Sequence, residues 1–270
     1  IHTPKTGGTT LHNIIARQYP AKTTFHIDGS RVAESIAEFK LLPNEKLAQL
    51  DCLAGHMWFG LHKFLPRPST YITMLRDPIE RIISHYFFVV ETRHHYLHEE
   101  VTSNKMSLAD YVSSNISPEL NNGQVRILSG MEAVALGCRQ VSGSTFKTAK
   151  ANLATHFVAV GIVERFDESL LLFRKLLGWK HIYYVKKNIT HGRPDKTEIP
   201  LSTLRVIERH NELDMEFYKY AKQLFGSKLH KEGIGNKELK GFRILNRMYG
   251  ATAEVRRTHA WRKVMSFVGR

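Results

Sequence analysis

The sequence predicts an α/β fold, a parallel sheet flanked by helices, and three observations carry that expectation. Short apolar runs bounded by turn residues alternate with stretches whose apolar residues recur at helical spacing. A Gly-rich turn near the start, Pro4-Lys5-Thr6-Gly7-Gly8-Thr9-Thr10, opens directly into one of those helical stretches. A third run, ending at Leu75, passes through Arg76 into Asp77-Pro78-Ile79-Glu80, a strong helix start. Strands that alternate with helices lie parallel, and ligands of such sheets sit beyond the C-terminal ends of the strands.

Taken in order, Leu11, Ile14 and Ile15 mark the first helix, and Thr23 to Ile27 the first strand. Asp28-Gly29-Ser30 turns into a helix over Val32 to Phe39, stopped near Pro43. Asp51 to His56 reads as a strand ending in Gly55-His56, followed by an aromatic loop through His62. Tyr71 to Leu75 is a strand. Ile79, Ile82, Ile83 and Tyr86 then share one helix face. The middle, from about Glu91 to Thr155, is helical and polar by pattern, an insertion between strands. Phe157 to Ile162 and His181 to Val185 complete the strands, and Leu201 to Phe225 reads as mostly helical. Residues 1–230 make up the α/β domain, and 231–270 form a basic helical extension expected to pack on it.

The chain has 270 residues, enough for one large domain with a substantial core. It holds no apolar run of about 20 residues, the length that spans a bilayer. Its two cysteines make neither a disulfide framework nor a four-cysteine zinc site. His94 and His98 lie at the spacing of one helix face, but no third metal ligand accompanies them. The net charge of +14 favours a polyanionic partner. The chain begins on Ile1-His2, where a first strand normally stands, so its start reads as truncated.

The first turn has the chemistry of an anion site. A Gly-rich turn opening a helix leaves N–H groups aimed at one point, backed by the positive end of the helix dipole. Lys5 adds a charge, and Thr6, Thr9 and Thr10 add hydroxyls. Lys5 precedes Gly7-Gly8, whereas in the common nucleoside-triphosphate loop the Lys follows the second Gly. At the second strand–helix junction, Arg76 is a planar, permanently charged fork for phosphate oxygens, with Ser84 about two turns into the helix. His56, at a strand end, has the titration range that suits proton transfer near neutrality.

Together, the first loop and Arg76-Asp77-Pro78-Ile79-Glu80-Arg81-Ile82-Ile83-Ser84 resemble the donor-binding segments of sulfotransferases. The likeness is strongest to the family of heparan sulfate 2-O- and 6-O-sulfotransferases and their bacterial relatives. It continues through Asn121-Asn122-Gly123-Gln124-Val125-Arg126, Val160 to Phe166 and Lys186-Lys187-Asn188, covering about residues 3 to 225. It implies the sulfotransferase fold, with a P-loop-like parallel sheet. It also implies 3′-phosphoadenosine 5′-phosphosulfate as donor, a carbohydrate acceptor that is anionic in the heparan-type case, and no metal requirement. Carried over residue by residue, Lys5, Thr6, Gly7, Gly8, Thr9 and Thr10 would hold the 5′-phosphosulfate, with Lys5 also catalytic. Arg76 and Ser84 would hold the 3′-phosphate, and Lys186 and Asn188 would extend the donor site. His56 matches the Gly-His pair that supplies the proposed base of the 2-O enzymes, although Ala54 stands where those carry another His. Gly60-Leu61-His62 matches the 6-O setting and makes His62 the second candidate base.

Three other readings stand beside this one: a nucleotide phosphotransferase, a nucleic-acid-binding module and a sulfotransferase fold that binds donor without catalysis. Lys5 preceding the glycines and the lack of a recognisable nucleic-acid motif argue against the first two. The acceptor, the position sulfated and the oligomeric state are not legible. The compartment expected is the cytoplasm if the chain is bacterial, or the Golgi lumen behind an anchor outside this chain.

Overall fold

The structure, a computed structural model, describes residues 1–130, 137–138, 141–185 and 193–268, with side chains to residue 252. Helix α1 (Gly8–Gln18) leads to strand β1 (Thr24–Ile27), helices α2 (Val32–Lys40) and α3 (Asn44–Ala48), and strand β2 (Cys52–Gly55). Strand β3 (Tyr71–Leu75) feeds helix α4 (Pro78–Glu91). Helices α5 (His98–Ser103), α6 (Leu108–Ser113), α7 (Gly123–Ser129) and α8 (Gly143–His156) fill the middle before strand β4 (Phe157–Ile162). Helices α9 (Phe166–Leu177), α10 (Leu201–His210), α11 (Glu212–Lys231) and α12 (Asn236–Val268) follow.

The α/β expectation holds: small parallel sheets flanked by helices. β1 pairs with β2 and β3 with β4, both parallel. The first residues of the chain lie between these pairs. The Ile1 amino group donates to Ile72 O at 2.9 Å, and His2 N–H donates to Gly55 O at 2.9 Å. The chain thus starts in the middle, builds β2 and β1 on one side, then β3 and β4 on the other. That reversal is a topological switch point, where open α/β sheets place their ligands. The Gly-rich turn emerges there.

Three apolar clusters hold these layers. Met74, Leu75, Val160 and Ile162 pack with Ile14 of α1, Leu170 and Phe173 of α9 and Phe217 of α11. Ile79, Ile82 and Ile83 of α4 pack against Val101, Tyr111, Val112 and Ile207, so the insertion has its own core. Ile27, Ile36, Phe39 and Met57 close the β1–β2 side. Phe242 of α12 is buried in the first cluster, and Arg243 bonds Asp167 at 2.9 Å, so the C-terminal helix docks by its first turns.

One expectation is corrected: His181 to Val185 forms no strand. Ile182 and Tyr184 are buried in alternation, as the pattern required, but the backbone bonds to side chains. Gln18 donates to His181 O, Arg17 to Tyr183 O, and Tyr184 N–H donates to Asn246 Oδ1. A pleated pattern reports burial and cannot show what satisfies the backbone. The mostly helical stretch expected from Leu201 to Phe225 is present as α10 and α11, which meet at Asn211; its side chain bonds Asn122 N–H and Leu120 O and ties both helices to that loop.

Candidate functional site: an anion cradle at the sheet's switch point

Gly7 caps α1 in the left-handed region, with φ 75°, and supplies no side-chain cap. A helix start of this kind aims backbone N–H groups at an anion. Lys5 also has a positive φ, 65°. For a residue with a Cβ that conformation is uncommon and costly, and it collects at functional sites. Gly8 is required by space: a Cβ there would lie 1.7 Å from His2 Nε2. Thr6 differs from the sequence reading. Its hydroxyl is buried and donates to Thr3 O at 2.7 Å, so it braces the turn, and only its backbone remains for a ligand. Thr9 is exposed and Thr10 half-buried.

Arg76 leaves the C-terminal end of β3 and is clamped to this turn. Its Nη1 donates to Lys5 O at 3.2 Å and its Nη2 to Glu80 Oε2 at 3.3 Å. Gln124 grips the Arg76 backbone on both sides, accepting from its N–H at 3.0 Å and donating to its C=O at 3.0 Å. Asp77 caps α4 by accepting from Ile79 and Glu80 N–H. Glu80, Ser84 and Phe88 recur every fourth residue and share one face of α4. Glu80 holds Arg76, and Phe88 lies under the Lys5 ammonium, 3.7 Å from ring centroid to Nζ. Ser84 therefore stands between Arg76 and Lys5, and its hydroxyl bonds to no described residue.

Arg193 was not legible in the sequence. It pairs with the same Glu80 carboxylate that holds Arg76. The Nε atoms of Arg76 and Arg193 are both buried without a partner. Arg76 and Arg193 thus share Glu80, and both lie close enough to Lys5 to act on its charge. The charge is expensive: burial and the neighbouring Arg76 pull the Lys5 pKa down to about 8, with Glu91 opposing and Arg193 adding to the effect. An arriving phosphate would relieve all three cations. The only available signal for Arg193 was its place shortly after the basic loop 186–188. Lys186 and Asn188 themselves lie outside the described residues.

His56 follows β2 and faces the same end of the sheet. Its ring packs at 4.2 Å from that of His2, and the Asp28-Gly29-Ser30 turn closes over it, since a Cβ on Gly29 would meet Cδ2 at 2.6 Å. Burial lowers its pKa, Glu119 opposes that, and a hydrogen bond to the His2 backbone orients the ring. His56 is therefore neutral at pH 7 and can accept a proton. His62 is placed elsewhere. Its Nδ1 lies 2.9 Å from the hydroxyl of Tyr71, the first residue of β3, and its ring packs against Phe59 and His156. That is the edge opposite Arg76. His94 and His98 do not share a helix face, because α5 begins at His98 and His98 Nδ1 engages Val89 O at 2.9 Å.

Arg81 is a scaffold residue. It is 1% exposed, donates to Glu119 O at 2.8 Å and lies 3.8 Å from Asp214. Asp214 in turn accepts from the N–H groups of Gln124 and Val125 and so caps α7. Glu164, just beyond β4, accepts from Asp77 N–H and from the Tyr218 hydroxyl. Buried Asp214 and exposed Glu164 together lock the strand ends that carry Arg76.

Residues 1–132 match the family described as "Sulfotransferase family". Among similar proteins, heparan-sulfate 6-O-sulfotransferase 2 of Homo sapiens is 27% identical over 276 residues, covering 83% of this chain and 44% of that protein. Uronyl 2-sulfotransferase of Homo sapiens is 25% identical over 216 residues, covering 73% and 53%. Heparan-sulfate 6-O-sulfotransferase 1 of Cricetulus griseus is 29% identical over 187 residues, covering 59% and 45%. The chain spans about half the length of the curated relatives it matches. The cradle of Lys5 to Thr10 and the clamped Arg76 both lie within the segment that is similar to the sulfotransferase family.

Proposed function

We propose that this chain transfers a sulfuryl group from 3′-phosphoadenosine 5′-phosphosulfate to a hydroxyl of a carbohydrate acceptor. The observation that carries the reading is the clamp between Arg76 and the Lys5 carbonyl. It joins the two anion-binding elements, the loop and the strand-end arginine, into one cationic patch at the switch point. A donor with phosphates at both ends of one nucleoside fits that pairing.

When bound, the donor supplies the activated sulfuryl group and a bisphosphate leaving group. The N–H groups from Thr6 to Thr10 hold the phosphosulfate end, and Arg76, Ser84 and Arg193 hold the 3′-phosphate. His56 takes the acceptor hydroxyl proton as the new O–S bond forms and the bond from sulfur to the phosphate oxygen breaks. Lys5 stabilises the charge that collects on that phosphate oxygen. Positioning and preorganised charge do most of the work, as in phosphoryl transfer.

Calorimetric titration with adenosine 3′,5′-bisphosphate, beside adenosine 5′-monophosphate and Mg·ATP, tests the donor site. Selective binding of the bisphosphate, weakened about a hundredfold in Arg76→Ala, is expected for a fork bonded to phosphate. Preference for Mg·ATP would return the chain to the phosphotransferase reading. In a transfer assay, His56→Ala should lower kcat about a hundredfold or more and leave bisphosphate affinity unchanged. A larger loss in His62→Ala than in His56→Ala would overturn the assignment of the base.

A further inference from the structure

One carboxylate beside the cradle is not used by the donor or by the proton transfer. Glu119 stands in the short turn Pro118–Leu120. Its Oε2 accepts from His85 Nε2 at 2.7 Å, its main-chain O accepts from Arg81 at 2.8 Å, and its N–H donates to Ser117 Oγ at 3.3 Å. His85 is 2% exposed and clamped at its other nitrogen by the Tyr111 hydroxyl at 2.7 Å. The carboxylate is therefore held rigidly. Yet its side chain keeps 31% of its surface exposed, and Oε1 bonds to no described residue.

Glu119 also interacts with His56 and is linked to Lys5 through a chain of rings. Its partner His85 contacts the His95 ring at 5.7 Å, His95 contacts Phe88 at 5.6 Å, and Phe88 carries the Lys5 ammonium. Burial works against the Glu119 charge, but His85, Arg81 and His56 outweigh it and hold the carboxyl down at about 2, so it is anionic throughout the working range. A braced anion with an unbonded acceptor oxygen, close enough to His56 for each to act on the other's charge and joined to Lys5 through His85, His95 and Phe88, faces whatever brings its hydroxyl there.

We propose that Glu119, braced by His85, is an acceptor-specificity residue: it accepts hydrogen bonds from hydroxyls or an ammonium on the sugar and excludes a carboxylate or sulfate from that position. The proposal rests on the sulfotransferase reading and deepens it. A polyanionic chain can still follow the basic surface, but the ring next to the reacting hydroxyl must be neutral or cationic at this subsite. Rejection by a fixed like charge is a general source of specificity.

The test measures binding of three methyl glycosides, the glucoside, the glucosaminide and the glucuronide, to the enzyme saturated with adenosine 3′,5′-bisphosphate, by ligand-observed NMR. Wild type should bind the glucuronide about tenfold more weakly than the other two, the scale of one unscreened charge contact. In Glu119→Gln that discrimination should shrink to within about twofold, with bisphosphate affinity unchanged. A merely structural role would weaken all three glycosides together. Equal binding by wild type, no glycoside binding although the bisphosphate binds, or retained discrimination in Glu119→Gln each overturns the proposal and leaves the donor site standing. A wild type that does not bind the bisphosphate overturns the functional reading, and the proposal with it.

Discussion

At the residue scale the site is a set of charges held at a cost. Lys5 is both strained in φ and starved of solvent, which lowers its pKa from 10.5 to about 8. Near pH 8 about half of it is neutral, so binding of an anionic bisphosphate should raise its pKa and take up a proton. Calorimetry at pH 8 in buffers of different ionisation enthalpy should show that uptake, and it should vanish in Lys5→Met. The stability sign is the reverse of a favourable ion pair. The unfolded chain binds the proton more tightly, so the free protein should gain stability as pH rises from about 8 to 10.5. For His56, a pKa below 6.5 moves the acid limb of kcat/KM for sulfuryl transfer below that value, because the base must be unprotonated. A limb above 6.5 would remove His56 from the base role. Gly8→Ala should weaken bisphosphate binding about tenfold by driving His2 out of place. His2→Gly in the same chain should restore part of it.

At the element scale, the strand end that carries Arg76 is aimed by a buried acid from a distant helix. Asp214 of α11 is fully buried, accepts two N–H groups at the start of α7 and lies 3.8 Å from the buried Arg81. Burial pushes its pKa up, with Arg81 and the N–H groups opposing. Removing one partner of such a pair leaves the other charge buried, so Asp214→Ala should cost roughly 3 kcal/mol in urea unfolding. Because α7 carries Gln124, which grips the Arg76 backbone, the same variant should also weaken bisphosphate binding. The sequence showed Asn121 to Arg126 only as a likeness. What the segment does depends on a helix some ninety positions later, and no local pattern encodes that pairing.

At the scale of the whole molecule, charge and subsite chemistry separate. A net charge of +14 draws polyanions over the whole surface, and that attraction is screened within about 8 Å at physiological salt. For a polyanionic acceptor, KM should rise steeply between 50 and 300 mM NaCl. Bisphosphate affinity should change less, since its cations sit in a half-buried cradle. Equal salt dependence of the two would mean that acceptor and donor draw on the same charges.

The amino-acid sequence by itself determined the α/β class, the Gly-rich turn and the start of α4, and it named His56, Arg76 and Ser84 as candidates. Each of these rests on local rules: glycine's freedom, capping, apolar period and residues at strand ends. Tertiary structure alone decided the rest. It turned the Thr6 hydroxyl inward, moved His62 to the opposite edge, and gave the backbone of His181 to Val185 side-chain partners in place of a ladder. It also brought Arg193 to Glu80 and Glu119 to His85. These outcomes turn on which groups satisfy each buried charge or backbone dipole. The partners lie far apart along the chain, so only the closed packing of α4, α7 and α11 around the switch point could select them.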